Sequence, residues 1–443
     1  MNDIERYFES PVIRAEFESD LSALLSVPSV AGKAEGEYPY GRECARAVDT
    51  ALAIAKRLGF RTENHEYHCA SAVLGESERE IGIVAHLDVV PAGGGWHYEP
   101  YALTVDREKG VYIGRGSLDD KGPLLVAMYA MRYFADNNIK LPFSIRLIMG
   151  SDEEVGSSDM RYFKKVCTPP EFSFTPDADF PVIIGEKGIM HLAVDLGEAD
   201  GSLTALSAGT VVNAVPGEAH AEIGGGRIDV AGRTAHASAP HKGVNAVALL
   251  ADTLLRTGVL AESDVPKFRF LKEAGEDIRG RVLGTEYSDE HFGPLTSVAS
   301  VLSLKDGHIV QCFDIRFPMS RDFDRVRSDI EKAVSARGYK IISCGGSNGY
   351  YSSADSKEIR ALTSACEEVF GRECKPFTIG GGTYARELPN TVAFGPDTEE
   401  YHGILGAGTG GCHDSDEYFA IELARKSFGI YVRSILNLKD CFR

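Results

Sequence analysis

Apolar positions along the chain keep changing their period, and the changes divide it into parts. Residues 43–58 carry apolar side chains at helical spacing, and Gly59 just beyond is a stop signal. The run Ile81-Gly82-Ile83-Val84-Ala85 is apolar throughout, as in a strand buried on both faces. Residues 124–134 return to the helical period, and 144–149 read as another strand. Strands separated by helices predict an α/β domain on a mostly parallel sheet covered on both faces.

After Gly185-Glu186-Lys187-Gly188 the texture shifts. Between 191 and 349 strand-like stretches dominate, among them 219–223 and 309–317, with a helix-like run at 246–255. Residues 356–370 are again helical, followed by glycine-rich loops and a final helix over 417–436. The simplest organisation is an α/β domain in two parts, 1–187 and 353–443, interrupted by an inserted α+β domain over 188–352. A chain of 443 residues has length enough for two or three cores.

Composition narrows the function classes. Hydrophobic residues at 43% and charged residues at 25% are those of an ordinary globular protein. A formal net charge of −18 repels phosphate, which argues against nucleic acid and anionic membranes as partners. The nine cysteines are scattered, with no CxxC pair, as in a cytoplasmic protein with reduced thiols. The start, Met1-Asn2-Asp3-Ile4-Glu5-Arg6, lacks the basic and apolar regions of a signal peptide, and no apolar run is long enough to span a bilayer.

The chemistry concentrates in His86-Leu87-Asp88, Leu118-Asp119-Asp120-Lys121-Gly122, Asp152-Glu153-Glu154, Pro176-Asp177 and Cys412-His413-Asp414. The first and third directly follow predicted strands, and sites in open α/β sheets form at the carboxyl ends of strands. Each residue taken singly has an ordinary reading. A histidine after a strand is usually structural, Glu153-Glu154 a solvated loop, and Asp119-Asp120 a helix N-cap. Their convergence on one crevice instead suggests a shared metal site.

The surrounding text is more specific. It includes Ala85-His86-Leu87-Asp88-Val89-Val90-Pro91, Gly95-Trp96, Gly114-Arg115-Gly116-Ser117-Leu118-Asp119-Asp120-Lys121-Gly122-Pro123, Asp152-Glu153-Glu154, Thr175-Pro176-Asp177, Gly185-Glu186-Lys187-Gly188 and Gly380-Gly381-Gly382-Thr383-Tyr384-Ala385-Arg386. With these motifs the chain resembles the di-zinc metallopeptidases that include aminoacylases, desuccinylases and carboxypeptidase-like enzymes, and most of all bacterial dipeptidases of the PepV type. The least matched region is about 260–295.

The resemblance implies a di-zinc peptidase catalytic domain with an inserted lid that binds substrate and closes over the metals. It implies hydrolysis of a dipeptide by a hydroxide held between two Zn²⁺ ions, with Mn²⁺ or Co²⁺ as substitutes. His86 and Asp177 would bind one ion, Glu154 and His413 the other, and Asp119 both. Three carboxylates and one hydroxide would balance four positive charges. Asp88 would accept a hydrogen bond from the far nitrogen of the His86 imidazole. Glu153 would be the general base, and the Asp119–Asp120 peptide would be cis.

In the insert, Val212-Asn213-Ala214-Val215-Pro216, Thr234-Ala235-His236-Ala237 and Asp314-Ile315-Arg316-Phe317-Pro318 resemble substrate-binding positions of such lids. His236 would stabilise an oxyanion, Asn213 would hydrogen-bond the substrate, and Arg316, Gly382 and Arg386 would hold its carboxylate. Without the motifs, His236 reads as a core histidine, Asn213 as a turn residue, Arg316 as a surface ion pair and the glycines as a tight turn. A single chain would carry every group, although some relatives dimerise through their lids. The rival activity on the same architecture is removal of an acyl or succinyl group from an amino acid. A scaffold protein that had lost catalysis would lack a ligand or the base, and none is lacking here.

Overall fold

The structure is a computed structural model that describes residues 3–406 and 408–442. Met1 and Asn2, part of the polar start, lie outside the described residues. The chain divides into two compact units, one made of Met1–Ile184, Ser352–Phe377 and Thr383–Arg443, the other of Gly185–Tyr351 and Thr378–Gly382.

The first unit is built on a mixed sheet. Its spatial order is Arg61–His65, Cys69–Leu74, Ser144–Gly150, Glu80–His86, Phe172–Thr175 and Thr391–Ala393, with Ile183 paired to Ala393 at the end. Glu80–His86 runs parallel to both Ser144–Gly150 and Phe172–Thr175, and the latter runs parallel to Thr391–Ala393. Nearly every residue of these four strands is buried, which accounts for their continuous apolar runs. The sheet is less parallel than the sequence suggests. Arg61–His65 and Cys69–Leu74 pair antiparallel, joined by a short turn whose Glu66 and Tyr67 have φ of 52° and 58°. So short a connection has no room for the crossover that a parallel pair needs.

Helix Arg42–Arg57 packs on the first two of these strands, and Lys121–Asp136 on Glu80–His86 and Ser144–Gly150. Helices Lys357–Phe370 and Ile421–Leu438 pack against each other. Ser356 caps the former through its hydroxyl, which accepts from the Ile359 N–H. Asp120 stands at the N-cap of Lys121–Asp136 but makes no capping bond, so the N-cap reading of this pair does not hold. The last helix also begins later than its apolar pattern suggests. Tyr418–Ala420 is a short strand paired with Val111–Ile113, and Glu417 lies outside any helix.

The second unit has a seven-stranded antiparallel sheet in the order Gly226–Ala231, Glu218–Ile223, Leu203–Ala208, Thr296–Lys305, His308–Phe317, Gly188–Glu198 and Lys340–Ser347. Glu218–Ile223 alternates exposed or half-buried with buried positions, as expected of a sheet that packs on one face. Ala246–Thr257, Val265–Glu276 and Phe323–Ser335 contribute the helical side of its core. The poorly matched stretch near 260–295 contains the second of these helices and a small pairing of Ser288–Asp289 with Gly293–Pro294.

The core of the first unit is strongly aromatic. Phe17 is fully buried, with ring centroids 5.1 Å from Phe8 and 5.4 Å from Tyr129. Phe17→Ala is expected to lower unfolding free energy by about 3–5 kcal/mol in a denaturant titration. A loss below about 1 kcal/mol would show that this cluster is not a packed core.

Candidate metal centre

Six ionisable side chains reach one place in the first unit, from strand ends and from loops. His86 is the last residue of Glu80–His86, and it lies level with Gly150, the last residue of the neighbouring parallel strand. Glu153 and Glu154 follow that strand end, and Asp177 follows Phe172–Thr175. Asp119 comes from the turn before helix Lys121–Asp136, where the Asp119–Asp120 peptide is cis. Gly122 is required by close approach, since a Cβ there would lie 1.9 Å from the Ser117 carbonyl oxygen. His413 sits in a loop at φ 67°, a left-handed conformation uncommon for histidine.

Asp119 is at the middle of the group. Its Oδ1 lies 2.9 Å from His86 Nε2 and its Oδ2 lies 3.0 Å from His413 Nε2. His413 Nε2 is 3.1 Å from Glu154 Oε2, and His86 Nε2 is 3.7 Å from Asp177 Oδ2. Candidate ligand atoms of His86, Asp119 and Glu154 all lie within 4.8 Å of one another, as do those of His86, Glu153 and Asp177. The His86 side chain is fully buried, whereas that of His413 is 52% exposed.

This crowding perturbs each group. Burial opposes the charged form of Asp119, yet hydrogen bonds from His413 and His86 prevail and hold its carboxyl far below the usual range. Burial and repulsion from Asp119 raise both Glu154 and Asp177. Burial raises Glu153 too, against the pull of His86 and with added repulsion from Glu154. The hydrogen bonds to Asp119 and Glu154 push His413 up to about 11. His86 is also raised, because Asp119 and Asp88 outweigh the penalty of burial.

The groups that hold these side chains differ in part from expectation. His86 Nδ1 faces the backbone carbonyl of Asp88 at 2.9 Å, with the Asp88 carboxylate farther away at 3.5 Å. That carboxylate, fully buried, instead accepts the Glu153 N–H at 3.2 Å and the Glu154 N–H at 3.0 Å. It therefore orients the acidic loop as well as neighbouring the imidazole. Three groups were not assigned from sequence. Asp159 accepts the Ser151 N–H, the Asp152 N–H and the Tyr384 hydroxyl. Tyr384 belongs to the glycine-rich motif and meets the His86 ring edge-on, with centroids 6.2 Å apart. Glu417 accepts the Leu118 N–H at 2.8 Å and the Asp119 N–H at 3.0 Å. Its polar position before an apolar run resembled a helix start, so no sequence signal marked it.

The remaining expected residues are distributed between the units. Asn213, His236, Arg316 and Gly382 belong to the second, and Arg386 to the first. Ala214–Val215 pairs with Ala235–His236, and the Asn213 carbonyl accepts the Ala237 N–H at 2.9 Å, so Asn213 and His236 are brought together. His236 is exposed, not a core histidine. Arg316 is 5% exposed and gives its Nε and Nη2 to Asp314, both at 2.6 Å, so it is no surface ion pair. One edge of the guanidinium expected to meet a substrate carboxylate is therefore already engaged. Its Nη1 reaches the Gly380 carbonyl at 3.3 Å.

The sequence profile of peptidase family M20/M25/M40 matches residues 82–437. The chain belongs to this family. Among curated M20-family relatives, the Beta-Ala-Xaa dipeptidase of Lactobacillus delbrueckii subsp. lactis is 30% identical, covering 95% of each chain. The putative dipeptidase YtjP of Bacillus subtilis (strain 168) is 29% identical over 90% of this chain and 92% of that relative. Human carnosine dipeptidase 1, at 16% identity and a TM-score of 0.61, covers 99% of this chain and 98% of its own, and shares the fold.

M20 peptidases are metal-dependent hydrolases, and the residues present here suit a metal. The donors are imidazole nitrogens and carboxylate oxygens, the usual non-thiolate ligands of zinc. Among the described residues, the ion pairs of Asp119, Glu154 and Asp177 are to the two histidines alone. Their carboxylates outnumber the available positive charge, a deficit that divalent cations offset.

The raised histidines set a sign for metal uptake. In metal-free protein His413 stays protonated up to about 11, so its pairing stabilises the fold fully below pH 6.5 and fades as pH rises through about 11. A metal needs the nitrogen lone pair, so binding near pH 7 must release protons and affinity must rise with pH. Calorimetric titration of zinc into metal-free protein is expected to give heats that vary with buffer ionisation enthalpy. Buffer-independent heats would refute this.

Proposed function

We propose that this M20-family chain is a dipeptidase that works with two metal ions, zinc by preference and manganese or cobalt as substitutes. The observation that carries the reading is the division of Asp119, whose two oxygens face different imidazoles. A carboxylate divided in this way would be able to serve two metal ions at once. His86 and Asp177 would then hold one ion, and Glu154 and His413 the other. Bound there, such ions lower the pKa of water and polarise the amide carbonyl.

The chain's own groups supply the rest. Glu153 accepts a proton from the attacking water and passes it to the leaving amine. Distance alone would place Glu153 beside His86 and Asp177 as a third ligand; its role as base comes from the family resemblance. Asp88 fixes the direction of Glu153 and Glu154 through their backbone N–H groups. His236 Nδ1 meets Ser238 through its hydroxyl at 2.7 Å and its N–H at 3.3 Å, and a His236 with its proton on Nε2 would donate it to an oxyanion. Asn213 hydrogen-bonds the substrate, while Arg316, Gly382 and Arg386 receive its carboxylate. Asp314 holds Arg316 in one orientation through Nε and Nη2, so the substrate carboxylate would meet the guanidinium on its Nη1 side.

One chain carries every assigned group, so a monomer suffices. All nine cysteines are free, which suits action in the reducing cytoplasm. No helix among the described residues is long and apolar enough to cross a membrane.

Glu153→Ala is expected to keep its metals while losing about 10²–10⁴ in kcat, and Asp119→Ala to lose both metal and activity. Metal content and turnover measured on the same preparations check both, and full activity in either variant refutes the assignment. A substrate panel tests the reaction. Free dipeptides should be hydrolysed in preference to their N-acylated forms; the reverse preference would make the enzyme a deacylase of the same architecture.

A further inference from the structure

We propose that Arg115 and Glu417 form a positioning pair that sets how tightly the centre holds its ions, and the His413–Glu154 half more than the His86–Asp177 half, which the pair reaches only through Asp119. The proposal rests on the two-ion reading above.

Arg115 is 1% exposed and Glu417 is fully buried. Arg115 Nη1 donates to Glu417 Oε2 at 2.6 Å, and the same oxygen accepts the Gly116 N–H at 3.1 Å. The other oxygen accepts the Leu118 and Asp119 N–H groups. The Glu417 backbone carbonyl accepts the Gly114 N–H at 2.9 Å and the Ser117 hydroxyl at 3.2 Å. Glu417 thus grips the whole turn that presents the bridging Asp119. From the other side, Arg115 Nη2 donates to the His413 carbonyl at 3.3 Å and to the Ala92 carbonyl at 3.4 Å. Trp96 covers the guanidinium at 5.2 Å.

One buried pair therefore ties the turn that carries Asp119 to the loop that carries His413. The loop's other hydrogen bonds lie on either side of His413, where the Gly411 carbonyl accepts the Asp414 N–H and Asp416 accepts the His97 and Tyr98 N–H groups. The imidazole is half-exposed and its backbone left-handed, a conformation that must be imposed by its surroundings. His86 and Asp177 need no such tie, because they extend directly from parallel strands. A buried ion pair often adds little net stability. Among the described residues Arg115 Nε has no hydrogen-bond partner. Geometry is the better account of what the pair contributes.

The test is calorimetric titration of zinc into metal-stripped full-length protein, comparing wild type, Glu417→Gln, Arg115→Lys, His413→Ala and His86→Ala. Wild type should bind two ions. Glu417→Gln should weaken one ion about 10–100-fold, the range for groups that hold metal ligands, and the other, which shares only Asp119, clearly less. This pattern should match His413→Ala in the ion affected most and differ from His86→Ala. Arg115→Lys keeps the buried charge but loses the fork to His413, and should weaken the same ion less. It carries the test alone if circular dichroism shows Glu417→Gln unfolded. Saturating zinc should restore kcat in both variants with KM unchanged, which general loosening of the fold would not do. Equal weakening of both ions, or unchanged binding, overturns the proposal. A wild type that binds no zinc overturns the two-ion reading and this pair with it.

Discussion

Like charge held at close quarters is the constraint around which the first unit is arranged. Asp88, Asp119, Asp120, Glu153, Glu154 and Asp177 crowd about His86 and His413, and burial raises most of these carboxyls. Such a group is costly unless something fixes and compensates it. Much of the local structure does this fixing. Backbone N–H groups are aimed at Asp88, Asp159 and Glu417, and glycines stand wherever a side chain would block an approach. Gly150 is one case, since a Cβ there would lie 2.0 Å from the Tyr384 hydroxyl.

The parallel strands and the acidic loops contribute differently. Parallel pairing brings His86 and Gly150 to the same level, so residues just beyond both strands emerge at one edge of the sheet. That delivers three of the five candidate ligands from strand ends, with Asp88 reaching across the sequence to orient the acidic loop. The other two, Asp119 and His413, come from irregular backbone and depend on side chains far away in sequence. The family shares a metal requirement, and this chain meets it by two distinct structural means.

This division also governs how much was legible in the sequence. Strand ends are visible as breaks in a hydrophobic run, so His86, Asp88, Glu153 and Glu154 stood out by position, whereas the strand before Asp177 was not read and that residue was marked only by its motif. Asp119 and His413 lie in glycine-rich text without a period, and only the motifs around them pointed to a role. Glu417 was hidden because Tyr418-Phe419-Ala420 continues smoothly into an apolar helix. That those three residues are a strand depends on pairing with Val111–Ile113, about three hundred positions earlier. The antiparallel flank at Arg61–Leu74 was missed for a related reason, since turn length rather than strand pattern sets its direction. The same remoteness applied to Arg316, whose engagement by Asp314 follows from alternation on one face of a strand but shows only once the strand is seen.

The order of the chain has a consequence for its synthesis. In the second unit, the first strand, Gly188–Glu198, and the last, Lys340–Ser347, are neighbours in the sheet, so that unit is complete as soon as its own residues have been made. The first unit is not. Thr391–Ala393 lies within its sheet, Ile421–Leu438 within its core, and His413 between them. On the ribosome the amino-terminal strands must therefore wait, partly uncovered, until Thr391–Ala393 and Ile421–Leu438 emerge. A nascent chain short of that helix would hold a finished insert beside an unfinished hydrolase, which keeps peptide cleavage from beginning before the helix has been made.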